Sequence, residues 1–297
     1  MMNLKPEVVA QLERVLGSVE MLLPKAVARI DWANCHAANW RRHSFSGFLE
    51  PVKVTDSTTL EELLGVDEQK TIMINNTRQF LAGLPANNAL LWGSRGTGKS
   101  SLVKALLNEF APKGLRVIQV EKEDLIYLSE IFTAIENQPY RFILLADDLT
   151  FEVGELSYKM LKSALDGSVY SAPENVLIYV TSNRCHLLPE YESDHLGGKY
   201  VKGELQQSEA LEEKVSLSDR FGLWVPFHVF SQDRYLDAVR LCVERHARER
   251  RVEIPWSKEL EQAAIQWTHD KSKRCGRTAF QFSKNWVGRY LLPTMGV

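Results

Sequence analysis

Five short apolar runs separated by stretches of helical periodicity predict a doubly wound α/β fold, a five-stranded parallel sheet flanked by helices. Two further observations sharpen this. A glycine-rich loop stands between the first run and an amphipathic helix, and after the last run only helical periodicity continues. The chain has 297 residues, 44% hydrophobic and 25% charged. That length and composition suit two domains around a buried core and exclude disordered, collagenous and disulfide-scaffold chains.

In chain order, the first fifty residues read as helical, with Val8, Val9, Leu12, Val15, Leu16 and Val19 at helical spacing and a break at Pro24. The helix after Pro24 is expected to end in Trp40, Arg41, Arg42, His43 and Phe45. This patch would dock onto the core or meet a partner. Gly47–Asp56 reads as a linker containing Pro51. A helix over Asp67–Leu81 is closed by Gly83 and Pro85. The five strands are then Ala89–Trp92, Val117–Val120, Phe142–Ala146, Val176–Val180 and Leu223–Phe227; uninterrupted apolar runs of this length suit strands buried on both faces. Helices are expected at 99–110, 124–137, 155–166 and 208–219, then at 232–250, 257–270 and 277–291. The connection Arg184–Gln206 reads as a long loop without regular structure. The expected division is 1–59, a helical N-terminal segment and linker; 60–230, the α/β core; and 231–297, a small helical unit.

Charge and cysteine usage bound the partners. Thirty-six basic residues oppose 38 acidic ones, a net charge of -2, so the chain as a whole is not built as a polyelectrolyte binder. The segment Arg240–Arg251 holds five arginines against Glu244 and Glu249. A solvated helix face is the favoured reading, and nucleic-acid contact the minor one. Cys35, Cys185, Cys242 and Cys275 form no CxxC pair, which suggests reduced thiols and a cytoplasmic protein. Cys185, His186, Glu192, Asp194 and His195 lack a compact zinc-ligand spacing. Neither a signal peptide nor a membrane span is expected, because the first ten residues and the rest of the chain lack a sufficiently long apolar run.

The strongest chemical signal is Gly93-Ser94-Arg95-Gly96-Thr97-Gly98-Lys99-Ser100, followed by Ser101. It fits GxxxxGK[ST], the phosphate-binding loop, and it lies between a strand and a helix as that chemistry requires. Glycines let backbone N–H groups turn inward around phosphates, and the helix N-terminus adds partial positive charge. Lys99 would reach the β- and γ-phosphates of ATP, and the Ser100 hydroxyl would sit on Mg²⁺. The run Phe142–Ala146 ends in Asp147-Asp148, carboxylates at the carboxyl end of a strand where α/β sheets bind ligands. Asp147 would hold Mg²⁺, directly or through water, and Asp148 would accept a proton from the attacking water. Asn183, at the end of Val180-Thr181-Ser182-Asn183, has a donor and an acceptor with which to orient that water. Arg220 in Ser218-Asp219-Arg220-Phe221-Gly222 would act on a neighbouring subunit's γ-phosphate, or else pair locally with Asp219. Arg277 would reach the phosphates from the helical unit, or else be a solvated first-turn residue with Arg274 as its substitute.

These elements, in this order, resemble the AAA+ ATPases from about Leu60 to Leu291. Leu64-Gly65-Val66-Asp67-Glu68-Gln69 is similar to the box that lines the adenine there, through Gly65 and Val66. The run Asn76–Asn88 leading into the P-loop is more specific. With Asp147–Glu152 and Gly276-Arg277-Thr278-Ala279, it resembles a bacterial AAA+-like family catalogued as a domain of unknown function. The resemblance implies an ATP- and Mg²⁺-binding core under a helical lid. It also implies sensor residues at Asn183 and Arg277, and an arginine finger at Arg220 acting across a homo-oligomer. It names no partner; a protein is expected, and no membrane.

One departure stands out. Most AAA+ chains end this acidic element in Asp-Glu, whereas Asp148 is one methylene shorter, a shortfall of roughly 1.5 Å. Displacements near 1 Å can cost ~100-fold in rate. Slow hydrolysis is therefore expected, unless Glu152 turns back to compensate. Three functions follow. They are an oligomeric ATPase that moves a partner, an ATP-gated switch or loader with little turnover, and, least supported, a small-molecule kinase.

Overall fold

The computed structural model describes residues 30–43, 46–53, 57–152, 155–166, 172–185, 187, 199–201, 204–206, 217–271 and 273–292, with Gln11 and Arg14. Its core is a seven-stranded sheet. The strands are β1 (Ala37–His43), β2 (Ser46–Val52), β3 (Ala89–Gly93), β4 (Leu115–Val120), β5 (Arg141–Ala146), β6 (Val176–Ser182) and, after the short pair β7 (Lys199–Val201) and β8 (Glu204–Gln206), β9 (Leu223–Phe227). The order is β2-β1-β4-β5-β6-β3-β9, parallel throughout except for the antiparallel edge strand β2. The helices are α1 (Asp67–Leu81), α2 (Lys99–Phe110), α3 (Leu128–Ile135), α4 (Leu156–Leu165), α5 (Gln232–Glu249), α6 (Lys258–Lys271) and α7 (Gly276–Leu291).

Strand alternation explains the two-faced core. On β5, Phe142, Leu144 and Ala146 pack with Ile178, Leu161 and Ile131 on one face of the sheet. Ile143 and Leu145 pack with Leu102, Leu106 and Tyr179 on the other. Because successive side chains point to opposite faces, a continuous apolar run is what a doubly covered strand needs. A third apolar cluster lies within the C-terminal helices, where Tyr235, Val239 and Val243 of α5 meet Leu260 and Ala264 of α6 and Ala279 and Phe282 of α7.

The family-specific run before β3 has a structural use. The Asn76 amide donates to the carbonyl oxygen of Asn87 while its own oxygen accepts from the Asn87 N–H, both at 2.9 Å. The Asn88 side chain accepts from the N–H of Ile178 at 2.8 Å. Tyr179, whose hydroxyl accepts from Asn76 at 3.0 Å, completes a buried polar clamp, and its pKa is pushed up by burial. This clamp pins the start of β3, and β3 delivers the phosphate loop.

Three expectations are corrected. The sheet has seven strands rather than five, because Trp40–His43 and most of Gly47–Asp56 form a hairpin, not a helix end and linker. Ala38 and Trp40 are buried while Arg41 is exposed, the period-two pattern of a strand. Trp40 packs into the core, and its ring runs over Gly47, where a Cβ would fall 1.8 Å from it. Pro51 is tolerated because β2 is an edge. Within the Arg184–Gln206 connection, β7 and β8 form a small antiparallel hairpin. The expected 124–137 helix is a 3₁₀ turn over Lys122–Tyr127 followed by α3. Of the expected helix before Pro24 only Gln11 and Arg14 are described, both helical, and residues 208–216 of the expected 208–219 helix lie outside the described residues, as do Phe45, His186, Glu192, Asp194 and His195. Among the described residues, no helix is long and apolar enough to cross a membrane.

Candidate functional site

Strand order creates the site. β5, β6 and β3 are neighbours and parallel, so their carboxyl ends bring Asp147-Asp148, Thr181–Asn183 and the loop after Gly93 side by side. That is the edge at which such sheets bind ligands. A cleft of about 860 Å³ opens there between the sheet and the C-terminal helices.

The loop Ser94–Gly98 turns directly into α2. Gly96 has φ +81°, and a Cβ on it would lie 2.8 Å from Arg277 Cβ and 2.9 Å from Cys275 Sγ. Only glycine lets the loop pass under the start of α7. The Arg277 N–H donates to the Gly96 carbonyl oxygen at 3.2 Å, tying the two segments. Thr97 Oγ1 donates to the Ser94 carbonyl oxygen at 2.8 Å. Buried Lys99 donates from Nζ to the carbonyl oxygens of Gly93 at 2.7 Å and Ser94 at 2.9 Å, and to Asn183 Oδ1 at 3.4 Å. Burial lowers its pKa below the ordinary lysine value; Asp148 and Asp147 oppose that, while Arg277 and Arg95 add to it.

The acidic pair is organised by one hydroxyl. Ala146 pairs with Val180, so the next residues, Asp147 and Thr181, stand together. Thr181 Oγ1 donates to Asp147 Oδ1 and accepts from the Asp148 N–H at 2.9 Å. Ser100 Oγ also donates to Asp147 Oδ1, at 2.5 Å. A hydroxyl beside a carboxylate is an oxygen donor set suited to Mg²⁺. Asp148 takes a left-handed backbone, φ +55°, which Asp tolerates better than most residues. Its Oδ1 accepts from the Asn183 amide, and its Oδ2 faces Arg95 Nη2 at 3.3 Å.

The expected residues are distributed as follows. Arg95 to Ser101, Asp147, Asp148, Asn183, Arg277 and Val66 all line the cleft. Gly93 and Ser94 contribute their carbonyl oxygens to Lys99. Gly65 lines a neighbouring cavity of about 460 Å³, beside Arg234. Arg220 is not among the cleft residues; its guanidinium pairs with Asp166, just after α4, rather than with Asp219. Glu152 does not turn back to the cleft. It is exposed, and its N–H donates to Glu155 Oε1 at 2.7 Å.

The sequence analysis gives Thr181 no role, although a hydroxyl in the polar end of an otherwise apolar strand is a usable signal. It also gives no role to the far end of the cleft. There Leu63 and Leu64 face Phe230, Leu241, Cys242 and Phe280, and Arg245 meets Glu62 at 3.2 Å. Burial raises the Cys242 thiol to about 11. No motif marks these side chains, because helix packing brings them together.

A family described as "Protein of unknown function (DUF815)" matches residues 33–290. An uncharacterised protein of Haemophilus influenzae is 21% identical over 169 residues, 56% of this chain and 71% of its own length. A segment of 53 residues is 40% identical to the replication factor C large subunit of Ignicoccus hospitalis, covering 17% of this chain and 11% of that protein. Among solved structures, the RuvB Holliday junction branch migration motor of Thermotoga maritima superimposes with a TM-score of 0.51 at 18% identity, over 80% of this chain and 66% of the RuvB chain. At that identity the likeness is one of fold, and the match spans a little under two thirds of RuvB.

Proposed function

The chain belongs to the DUF815 family and has the AAA+ P-loop fold, and on that footing we propose that it binds ATP with Mg²⁺ and hydrolyses it slowly. One observation carries this reading. Lys99, the Ser100–Asp147 pair and the Asp148–Asn183 pair converge at the carboxyl ends of three adjacent strands. Backbone N–H groups and Lys99 would bind the phosphates, and the helical end of the cleft, with Val66, would take the base. Ser100 and Asp147 would hold Mg²⁺, which when bound supplies charge neutralisation for the phosphates. Asn183 would orient the attacking water, and Asp148 would take its proton.

Slow turnover is favoured by the state of Asp148. It is a short acid whose two oxygens already contact Asn183 and Arg95. The same observation supports the second reading, an ATP-gated switch or loader. Arg220 is proposed to act across a homo-oligomer, which requires it to exchange Asp166 for a neighbour's phosphate. A protein partner suits the charge better than nucleic acid. Of the arginines on α5, Arg240 stacks on Trp256, and Arg245 pairs with Glu62 and Glu249. A cytoplasmic site of action completes the proposal and suits four cysteines that form no disulfide.

The test is phosphate release from ATP and Mg²⁺ across a protein concentration series, for the wild type and Arg220→Ala. Specific activity that rises with concentration, a rise lost in the variant, supports the oligomeric ATPase. Flat, near-zero release with ATP still bound selects the switch.

A further inference from the structure

Cations of one chain gather around the P-loop in the cleft. Lys99 lies at its floor, Arg277 enters from the N-terminus of α7, and Arg95 stands on the P-loop itself. Arg95 and Arg277 both lie near enough to Lys99 to disfavour its charged form. Arg95 is also directed at a specific place. Its Nη2 reaches Asp148 Oδ2 at 3.3 Å, the carboxylate that Asn183 holds from the other side. Arg220, by contrast, is held by Asp166 and does not line the cleft.

We propose that Arg95 supplies, within its own subunit, the guanidinium that neutralises charge on the reacting phosphoryl group. This rests on the reading of the cleft as an ATP site. Arg95 would exchange Asp148 for the γ-phosphate oxygens, which a planar guanidinium can bind in two places at once. The exchange does two things in one movement. It brings positive charge to the group where negative charge develops, and it releases one oxygen of Asp148. The water oxygen then bonds to the γ-phosphorus while the bond from that phosphorus to the β–γ bridging oxygen breaks. ADP leaves with the electron pair, and Asp148 accepts the water's proton. Basal turnover is therefore a property of the single chain, and assembly through Arg220 adds to it.

The experiment measures kcat at saturating ATP and Mg²⁺, and Kd for ATP, for the wild type, Arg95→Ala and Arg95→Lys over a range of protein concentrations. The Arg95 side chain is two-thirds exposed, so the variants should melt with the wild type. Arg95→Ala is expected to lower kcat about 10²–10³-fold at every concentration, while Kd rises less than tenfold. Arg95→Lys keeps the charge without the fork and should recover only part of the rate. Wild-type kcat in Arg95→Ala overturns the proposal, as does a loss confined to high concentration. A wild type that binds ATP without turning it over also overturns it, and leaves nucleotide binding standing. A wild type that binds no ATP overturns both.

Discussion

At its P-loop end the cleft is made of backbone and short polar side chains set by sheet register. At its other end it is made of apolar side chains from α5, α7 and the segment before α1. At the first end Lys99, Ser100, Asp147, Asp148, Thr181 and Asn183 form one connected network at the carboxyl ends of β3, β6 and β5. At the second, among the described residues, the Arg245–Glu62 pair alone spans from the helical unit to the core with opposite charges, and both side chains are about a third exposed. The P-loop end is thus a fixed geometry. The other end is packing plus one solvated ion pair, so it can shift without breaking the network.

The sharpest way to break the contrast is at Lys99. Lys99→Met removes a buried cation and leaves the Gly93 and Ser94 carbonyl oxygens without their donor. Losing one partner of a buried charged contact costs about 2–5 kcal/mol, so ATP affinity should fall ~30-fold or more, as read by equilibrium titration. The pH dependence has a defined sign. Burial lowers the Lys99 pKa below the usual 10.5, so wild-type ATP affinity should decline on the alkaline side at a pH where an ordinary lysine is still charged. Lys99→Arg should abolish that decline. Folding runs the other way. The unfolded chain holds the Lys99 proton more firmly, so this residue's contribution to stability rises with pH between the lowered pKa and 10.5.

Thr181→Val tests whether the network acts as a unit. The substitution keeps shape but leaves the Asp148 N–H without its acceptor and Asp147 with one donor fewer. The Asp148 N–H is only part-buried, so its loss of an acceptor should cost about 1 kcal/mol of stability, the low end of the range for an unsatisfied donor, measurable by urea titration. The acids would also lose their mutual placement, so kcat should fall ~10–100-fold. ATP affinity in the absence of Mg²⁺ should barely change. An equal loss in both quantities would mean that Thr181 serves folding rather than the placement of the acids.

The same contrast explains what the sequence disclosed. The P-loop end was legible because its chemistry is local. One eight-residue loop, one strand ending in two acids and one ending in Asn183 carry it, and parallel strand order does the rest. The β1–β2 hairpin was not legible because Trp40-Arg41-Arg42-His43 shows no alternation of apolar residues. Its parallel partner, β4, begins more than seventy residues further on, and only there does burying Ala38 and Trp40 become favourable. Arg220 was legible as a position but not as a contact, because Asp166 lies 54 positions away. The lining from α5 and α7 was hidden for a related reason, since an ordinary amphipathic helix does not announce which of its residues border a cleft.

The smallest effect should come from the far end. Arg245 has two carboxylate partners, Glu62 at 3.2 Å and Glu249 at 3.3 Å on its own helix. Glu62→Gln removes the cross-cleft charge but leaves Arg245 paired, and exposed pairs contribute about 0–1 kcal/mol. ATP affinity should therefore change by no more than ~5-fold, and that change should shrink further in high salt. Arg245→Ala should cost more than Glu62→Gln, because it also strips the aliphatic stem that lines the cleft beside Cys242. Both variants should leave kcat nearly untouched, since neither group belongs to the network around Asp148. A kcat loss in Glu62→Gln as large as that in Thr181→Val would overturn the division. It would mean that the helical end fixes the acids as firmly as the sheet does, and that closure of the helices is part of the chemistry.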